Sequence, residues 1–142
     1  MDNNYLISII GTQEVDGEKD TVEVMTNGDL VTKNGTTYIS YREYSNDNPN
    51  IYSHNLIKIE SDEKVTIIRK GETESRLILE KGKRHQCFYK TVAGSLLIGI
   101  FTDEVNIDLS EKSGSLSLSY SIDFNSDLVS NNEFKISLKV KE

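Results

Sequence analysis

Residues 115 to 124 read SLSLSYSIDF, and every second one is large and apolar. Leu116, Leu118, Tyr120, Ile122 and Phe124 fall on one side, with Ser115, Ser117, Ser119, Ser121 and Asp123 on the other. A period of two belongs to a β-strand with one wet face. Disordered serine tracts do not carry a large apolar residue at each alternate position. The pattern returns near the end, where Phe134, Ile136, Leu138 and Val140 alternate with Lys135, Ser137, Lys139 and Lys141. Helical spacing is weak throughout, and seven tyrosines among many Thr, Val and Ile residues favour strands.

Turn chemistry divides the rest. Asn-Gly occurs at 27–28 and 34–35, and this dipeptide between alternating segments signals a hairpin because both residues tolerate positive φ. Further breaks fall at VDGEKD, SNDNPN, SD, KGETE, KGK, VAG, EKSG and DLVSNN. Strands are therefore expected at residues 5–14, 20–26, 29–33, 36–44, 53–60, 63–70, 74–80, 84–91, 95–109, 115–125 and 133–141, some of them fused across bulges. No connection is long enough for a crossover helix, so neighbours are antiparallel and the chain is a meander. Closure removes the edges that an open meander leaves exposed. The expected fold is all-β: an up-and-down meander closed into a barrel of about 8 to 10 strands, with residues 1–142 forming one domain.

Several function classes are disfavoured by composition. The net charge of −7 argues against nucleic-acid binding, because phosphate recognition rests on Lys and Arg. The one basic run, KGKRH at 81–85, centres on Gly82 and reads as a solvated hairpin turn. The longest apolar run, LLIGIF, is far short of a membrane span. A lone cysteine, Cys87, and the absence of a signal-like start make the cytoplasm the expected location. His85 and Cys87 share a face, but two ligands are too few for zinc, and no metal or other cofactor is expected. The carboxylates of TDEVNIDLSE alternate with Val105, Ile107 and Leu109 and read as a solvated face. No phosphate loop, nucleophile elbow or dinucleotide fingerprint is present, so the reading leans away from an enzyme.

The runs YISYREY at 38–44, VTIIRKGE at 65–72, YKTVAGSLLIGIFT at 89–102 and GSLSLSYSID at 114–123 resemble the YwiB-like family of uncharacterised proteins from Gram-positive bacteria. The resemblance covers nearly the whole chain in order. It implies a calycin-like barrel, related in shape to lipocalins and fatty-acid-binding proteins, with no assigned function. The chain has no tryptophan, so the lipocalin Gly-x-Trp signature is missing, as is the paired arginine and tyrosine motif of the fatty-acid-binding proteins.

One residue breaks the apolar pattern. In EKVTIIRKG, Arg69 shares parity with Val65 and Ile67. The meander sets Ile39, Tyr41 and Glu43, then Asn55, Ile57 and Ile59, beside that strand, so Glu43, Asn55 and Arg69 meet at one barrel end. A buried unpaired guanidinium is costly, which calls for a carboxylate or a wet mouth. Two readings stay open: a structural Glu43–Arg69 pair, or a polar cluster that receives the anionic end of a ligand. Tyr41, Tyr89 and Tyr120 are the further inward candidates, with Thr91 on the face of Cys87. Two functions follow. The first is a non-enzymatic binder of a small hydrophobic or amphipathic molecule in the barrel. The alternative is a protein-interaction or homodimerising module with a side-chain-filled barrel, which exposure of Ile68, Leu97 or Phe101 would favour.

Overall fold

A computed structural model describes residues 4–44, 47–91, 93–110 and 112–141 of the chain, apart from the side chain of Thr91. Ten strands follow one another: β1 (Tyr5–Val15), β2 (Glu18–Lys33), β3 (Thr36–Tyr44), β4 (Tyr52–Ile59), β5 (Lys64–Lys70), β6 (Glu74–Glu80), β7 (Arg84–Thr91), β8 (Gly94–Leu109), β9 (Ser113–Phe124) and β10 (Asp127–Val140). Each pairs antiparallel with the next, and β1 pairs with β10 from Tyr5↔Val140 to Glu14↔Asn131, closing the barrel. No helix occurs among the described residues.

Alternation decides which side chains fill the interior. Ile7, Ile39, Ile57, Val65, Leu79, Ile100, Leu116 and Ile136 are all at most 1 % exposed and belong to one continuous apolar cluster. The inward parity expected for Ile39, Tyr41, Asn55, Ile57 and Val65 holds.

Two turn expectations do not hold. Asn34 and Gly35 adopt positive φ (52° and 80°) and make the β2–β3 hairpin, but Asn27-Gly28 runs straight through β2. Gly28 is there for closeness: a Cβ would strike the Ser40 carbonyl oxygen and Ile7 Cδ1. The hairpin preceding β2 turns on Asp16 and Gly17 (φ 51° and 82°), inside the break expected at VDGEKD. DLVSNN, expected as a loop, is the start of β10, disguised by a register shift between Leu128 and Ser130 that breaks the alternation.

Two polar devices tie the wall together. Arg84 crosses β8 over Gly99, where a Cβ would collide with its guanidinium, and grips Asp123 on β9 with bonds of 2.9 and 2.7 Å. That grip holds the Asp123 carboxyl below its ordinary range. The second device stands at a weak seam. β6 and β7 register only through Glu74↔Lys90 and Ser75↔Tyr89. Beyond them the gap is spanned by the Ile78 N–H donating to Cys87 Sγ at 3.4 Å and by His85 Nε2 with Glu80 Oε1 at 2.9 Å. Lys81 then bridges to Thr102 on β8.

Gly28→Ala is expected to cost ~1–3 kcal/mol through overpacking, whereas Gly11→Ala, which meets nothing within 4 Å, changes stability by less than ~0.5 kcal/mol; urea unfolding of the two variants makes the comparison. A pH effect follows from Thr66, 1 % exposed, whose hydroxyl donates to Glu60 Oε1 at 2.7 Å. That bond, foremost, holds the Glu60 carboxyl below its ordinary 4.5, aided by Lys64 and Lys58 against partial burial. A depressed carboxyl contributes stability that is fully present above the unfolded value and lost as pH falls through the folded one. Thr66→Val should therefore destabilise by ~1 kcal/mol at pH 7 and by clearly less at pH 3, read from urea midpoints at both.

Candidate functional site

The hydrogen-bonded register lays Tyr41, Asn55, Arg69, Ser75, Tyr89 and Leu96 in one inward row across β3 to β8. Tyr41 and Asn55 are buried at 8 % and 4 %, while the row opens to solvent toward Tyr89 and Leu96. Glu43 sits one inward step from Tyr41, opposite Ser53. The end of the barrel reached by the β3–β4, β5–β6, β7–β8 and β9–β10 connections thus carries a polar wall.

Arg69 is the centre of that wall. Its Nη1 donates to Glu43 Oε2 at 2.7 Å, and both side chains keep about a third of their surface in water, 38 % and 31 %. Its Nε is buried and has no hydrogen-bond partner among the described residues. Asn55 Nδ2 reaches Ser53 Oγ at 3.5 Å, a long bond that leaves most of the amide's capacity unused. Burial pushes the Tyr41 phenol far above its ordinary value; the nearby Glu43 carboxylate adds to this and Arg69 opposes it. The phenol is a permanent donor near neutral pH.

Half-way around the barrel the lining changes character. β9 lies five strands from β4, and there Ile122 and Phe124 carry inward parity, as do Leu96 and Ile98 on β8. These are half-buried or exposed at the rim rather than sealed in the core, with Leu96 at 47 % and Phe124 at 42 %. The mouth is therefore amphipathic, with a guanidinium on one side and hydrocarbon on the other.

Of the six candidates read from the sequence, the structure brings Tyr41, Glu43, Asn55, Arg69 and Tyr89 together at this end. Tyr120 stands apart, paired with Thr102 on β8 and Asn132 on β10. It belongs to a second inward polar set with Ser130, whose Oγ accepts from Asn132 Nδ2 at 2.9 Å, and with Thr102, whose buried Oγ1 has no partner among the described residues. Burial raises the Tyr120 phenol. Ser53 and Ser75 were missed, although Ser53 shares parity with Asn55. Ser130 and Asn132 were hidden by the β10 bulge. The Thr91 side chain lies outside the described residues. His54 is exposed and His85 is engaged with Glu80. Burial raises the Cys87 thiol, which keeps it protonated and weakly nucleophilic. No group of three or more His, Cys, Asp and Glu side chains fit to hold a metal ion occurs among the described residues.

A closed, ten-stranded antiparallel meander with a filled waist and an amphipathic mouth defines the class of protein. Its family model is the one described as "Domain of unknown function (DUF1934)", which matches residues 7–136, and the chain belongs to that family. The crystal structure of the ywiB protein from Bacillus subtilis is similar in fold, with a TM-score of 0.85 at 21 % identity over 97 % of this chain and 92 % of that one. No curated protein matches. No helix among the described residues is long and apolar enough to cross a membrane.

A double-mutant cycle on Glu43→Gln and Arg69→Leu is expected to give a coupling of about 1 kcal/mol that fades at high salt, as suits a half-exposed pair. Urea unfolding of the four proteins at low and high ionic strength measures it.

Proposed function

We propose that the protein is a non-enzymatic binder of a small amphipathic anion at the barrel mouth. Glu43 uses one corner of the Arg69 fork, and the buried, unpartnered Nε is the observation that carries the reading. An unsatisfied buried donor is expensive, and a carboxylate or phosphate oxygen would satisfy it with a charge-assisted bond. Tyr41 and Asn55, next to Arg69 in the same row, supply neutral donors for the rest of the headgroup. Leu96, Ile98, Ile122 and Phe124 offer hydrocarbon to the ligand's apolar part. The filled core below the mouth sets a floor, so the ligand sits at the end of the barrel rather than along its axis. A free, buried Cys87 suits a reducing compartment, in keeping with the cytoplasm.

Titration with 8-anilinonaphthalene-1-sulfonate, a probe with both an anionic group and an apolar body, tests the reading. Wild type is expected to enhance its fluorescence, Arg69→Lys to bind more weakly, and Arg69→Leu to weaken binding about tenfold or more, the scale of a lost charge-assisted bond. Equal binding by wild type and Arg69→Leu would sink the proposal. Native mass spectrometry of protein purified gently from its own cells would then identify any retained ligand.

A further inference from the structure

The cavity at the mouth encloses about 880 Å³, and its lining extends past the inward row. Tyr41, Asn55, Arg69 and Ser75 border it from that row. One residue nearer the rim, Arg42, His54 and Lys70 stand in register on β3, β4 and β5, and Glu74 with Lys90 on β6 and β7. All five border the same cavity, as does Arg76, one residue beyond Ser75. Their parity is outward, yet at this open end of the wall both sets line one space. Leu56 and Ile68, side by side on β4 and β5, add half-buried hydrocarbon to it, and Phe88 adds an exposed ring. Ile68, expected among the exposed apolar residues, is half-buried here.

The charges about this cavity do not balance. Arg42, Arg69, Lys70, Arg76 and Lys90 are five cations, against three carboxylates: Glu74, the buried Asp29, and Glu43 on Arg69. In a chain of net charge −7 the mouth thus holds a surplus of two positive charges. Two of the three acids are already engaged, Asp29 by the Asn4 backbone N–H at 3.2 Å and Glu43 by Arg69 at 2.7 Å. Arg42, Lys70, Arg76 and Lys90 form no ion pair among the described residues; Arg42 rests over the Tyr52 ring at 4.6 Å. Cations gathered about one cavity repel one another and focus a positive potential into it, which favours an anion of more than one charge.

We infer, on the footing of the anion site proposed at the mouth, that the ligand's charged end is a phosphomonoester, a dianion near neutral pH. A carboxylate or a sulfate ester brings one charge and leaves half the surplus unmet. A phosphomonoester brings nearly two, with three strong acceptor oxygens. One oxygen satisfies the free Arg69 Nε in a charge-assisted bond. The others take the Tyr41 hydroxyl and the rim lysines. Lys70 and Lys90 stand two strand spacings apart, about 10 Å at the backbone, a gap that two extended lysine side chains span. Leu56, Ile68 and Phe88 lie alongside for the ligand's chain.

Octyl sulfate and octyl phosphate test the assignment. They share one chain and a tetrahedral head, and differ in charge at pH 8 because a phosphomonoester loses its second proton at about pH 6. Calorimetry on the wild type at low salt is expected to give octyl phosphate about tenfold tighter binding than octyl sulfate, or more. Lys70→Gln/Lys90→Gln should weaken octyl phosphate about tenfold and octyl sulfate about threefold, since each lost charge acts once on a monoanion and twice on a dianion. Both lysines are exposed, and unchanged thermal melting confirms that the variant folds. Inorganic phosphate should bind at least about tenfold more weakly than octyl phosphate, for want of a chain; equal binding assigns the site to free phosphate and overturns the amphiphile. Equal affinity of the wild type for the two esters, binding of neither, or an equal loss of both in the lysine variant overturns the inference. Arg69→Leu should weaken both esters. If it does so while the wild type binds them equally, the anion site stands and the phosphate falls; if it weakens neither, the anion site itself has failed.

Discussion

Everything in this molecule depends on the pairing of its first strand with its last. Ten consecutive residue pairs between β1 and β10 join elements more than a hundred residues apart, and they turn a long meander into a closed ring. An open sheet of this length would present two rows of unpaired amides to solvent and to other chains. Closure also fixes what each side chain faces. Once the ring is complete, odd and even positions are committed to inside or outside, and a slip of one residue would reverse a whole strand.

That commitment explains why an arginine can share parity with the core. Arg69 is inward because Val65 and Ile67 must be, and its place at the last inward step of a short strand lets the guanidinium reach water and Glu43 together. Across the mouth, β8 and β9 keep the same parity with hydrocarbon. The asymmetry of the mouth is thus a product of strand order acting on ordinary alternation, with no irregular backbone required among these residues.

Most of this was legible in the residues. The strands from 36 onward fall within two residues of their expected bounds up to β9, and meander order with parity placed Glu43, Asn55 and Arg69 together. The failures share a physical cause: the signal was local and the determinant was not. Asn27-Gly28 has hairpin composition, but its glycine answers to Ile7 and Ser40 on neighbouring strands. The opening of β10 looked like a loop because a bulge shifts the alternation by one, which also hid Ser130 and Asn132. Tyr120 was correctly read as inward yet lies off the row of the other candidates, since stagger between β8 and β9 carries the register past them.

The seam between β6 and β7 bears on how the barrel moves. Every other neighbouring pair shares at least six registered residues, whereas here two pairs, a thiol acceptor and a histidine–glutamate contact carry the join. Local opening is governed by the fewest cooperative bonds that must break at once. The backbone amides of residues 76–80 and 84–88 should consequently exchange with solvent deuterium sooner than those of β9 and β10, and the barrel breathes by parting along this line while its first and last strands stay joined.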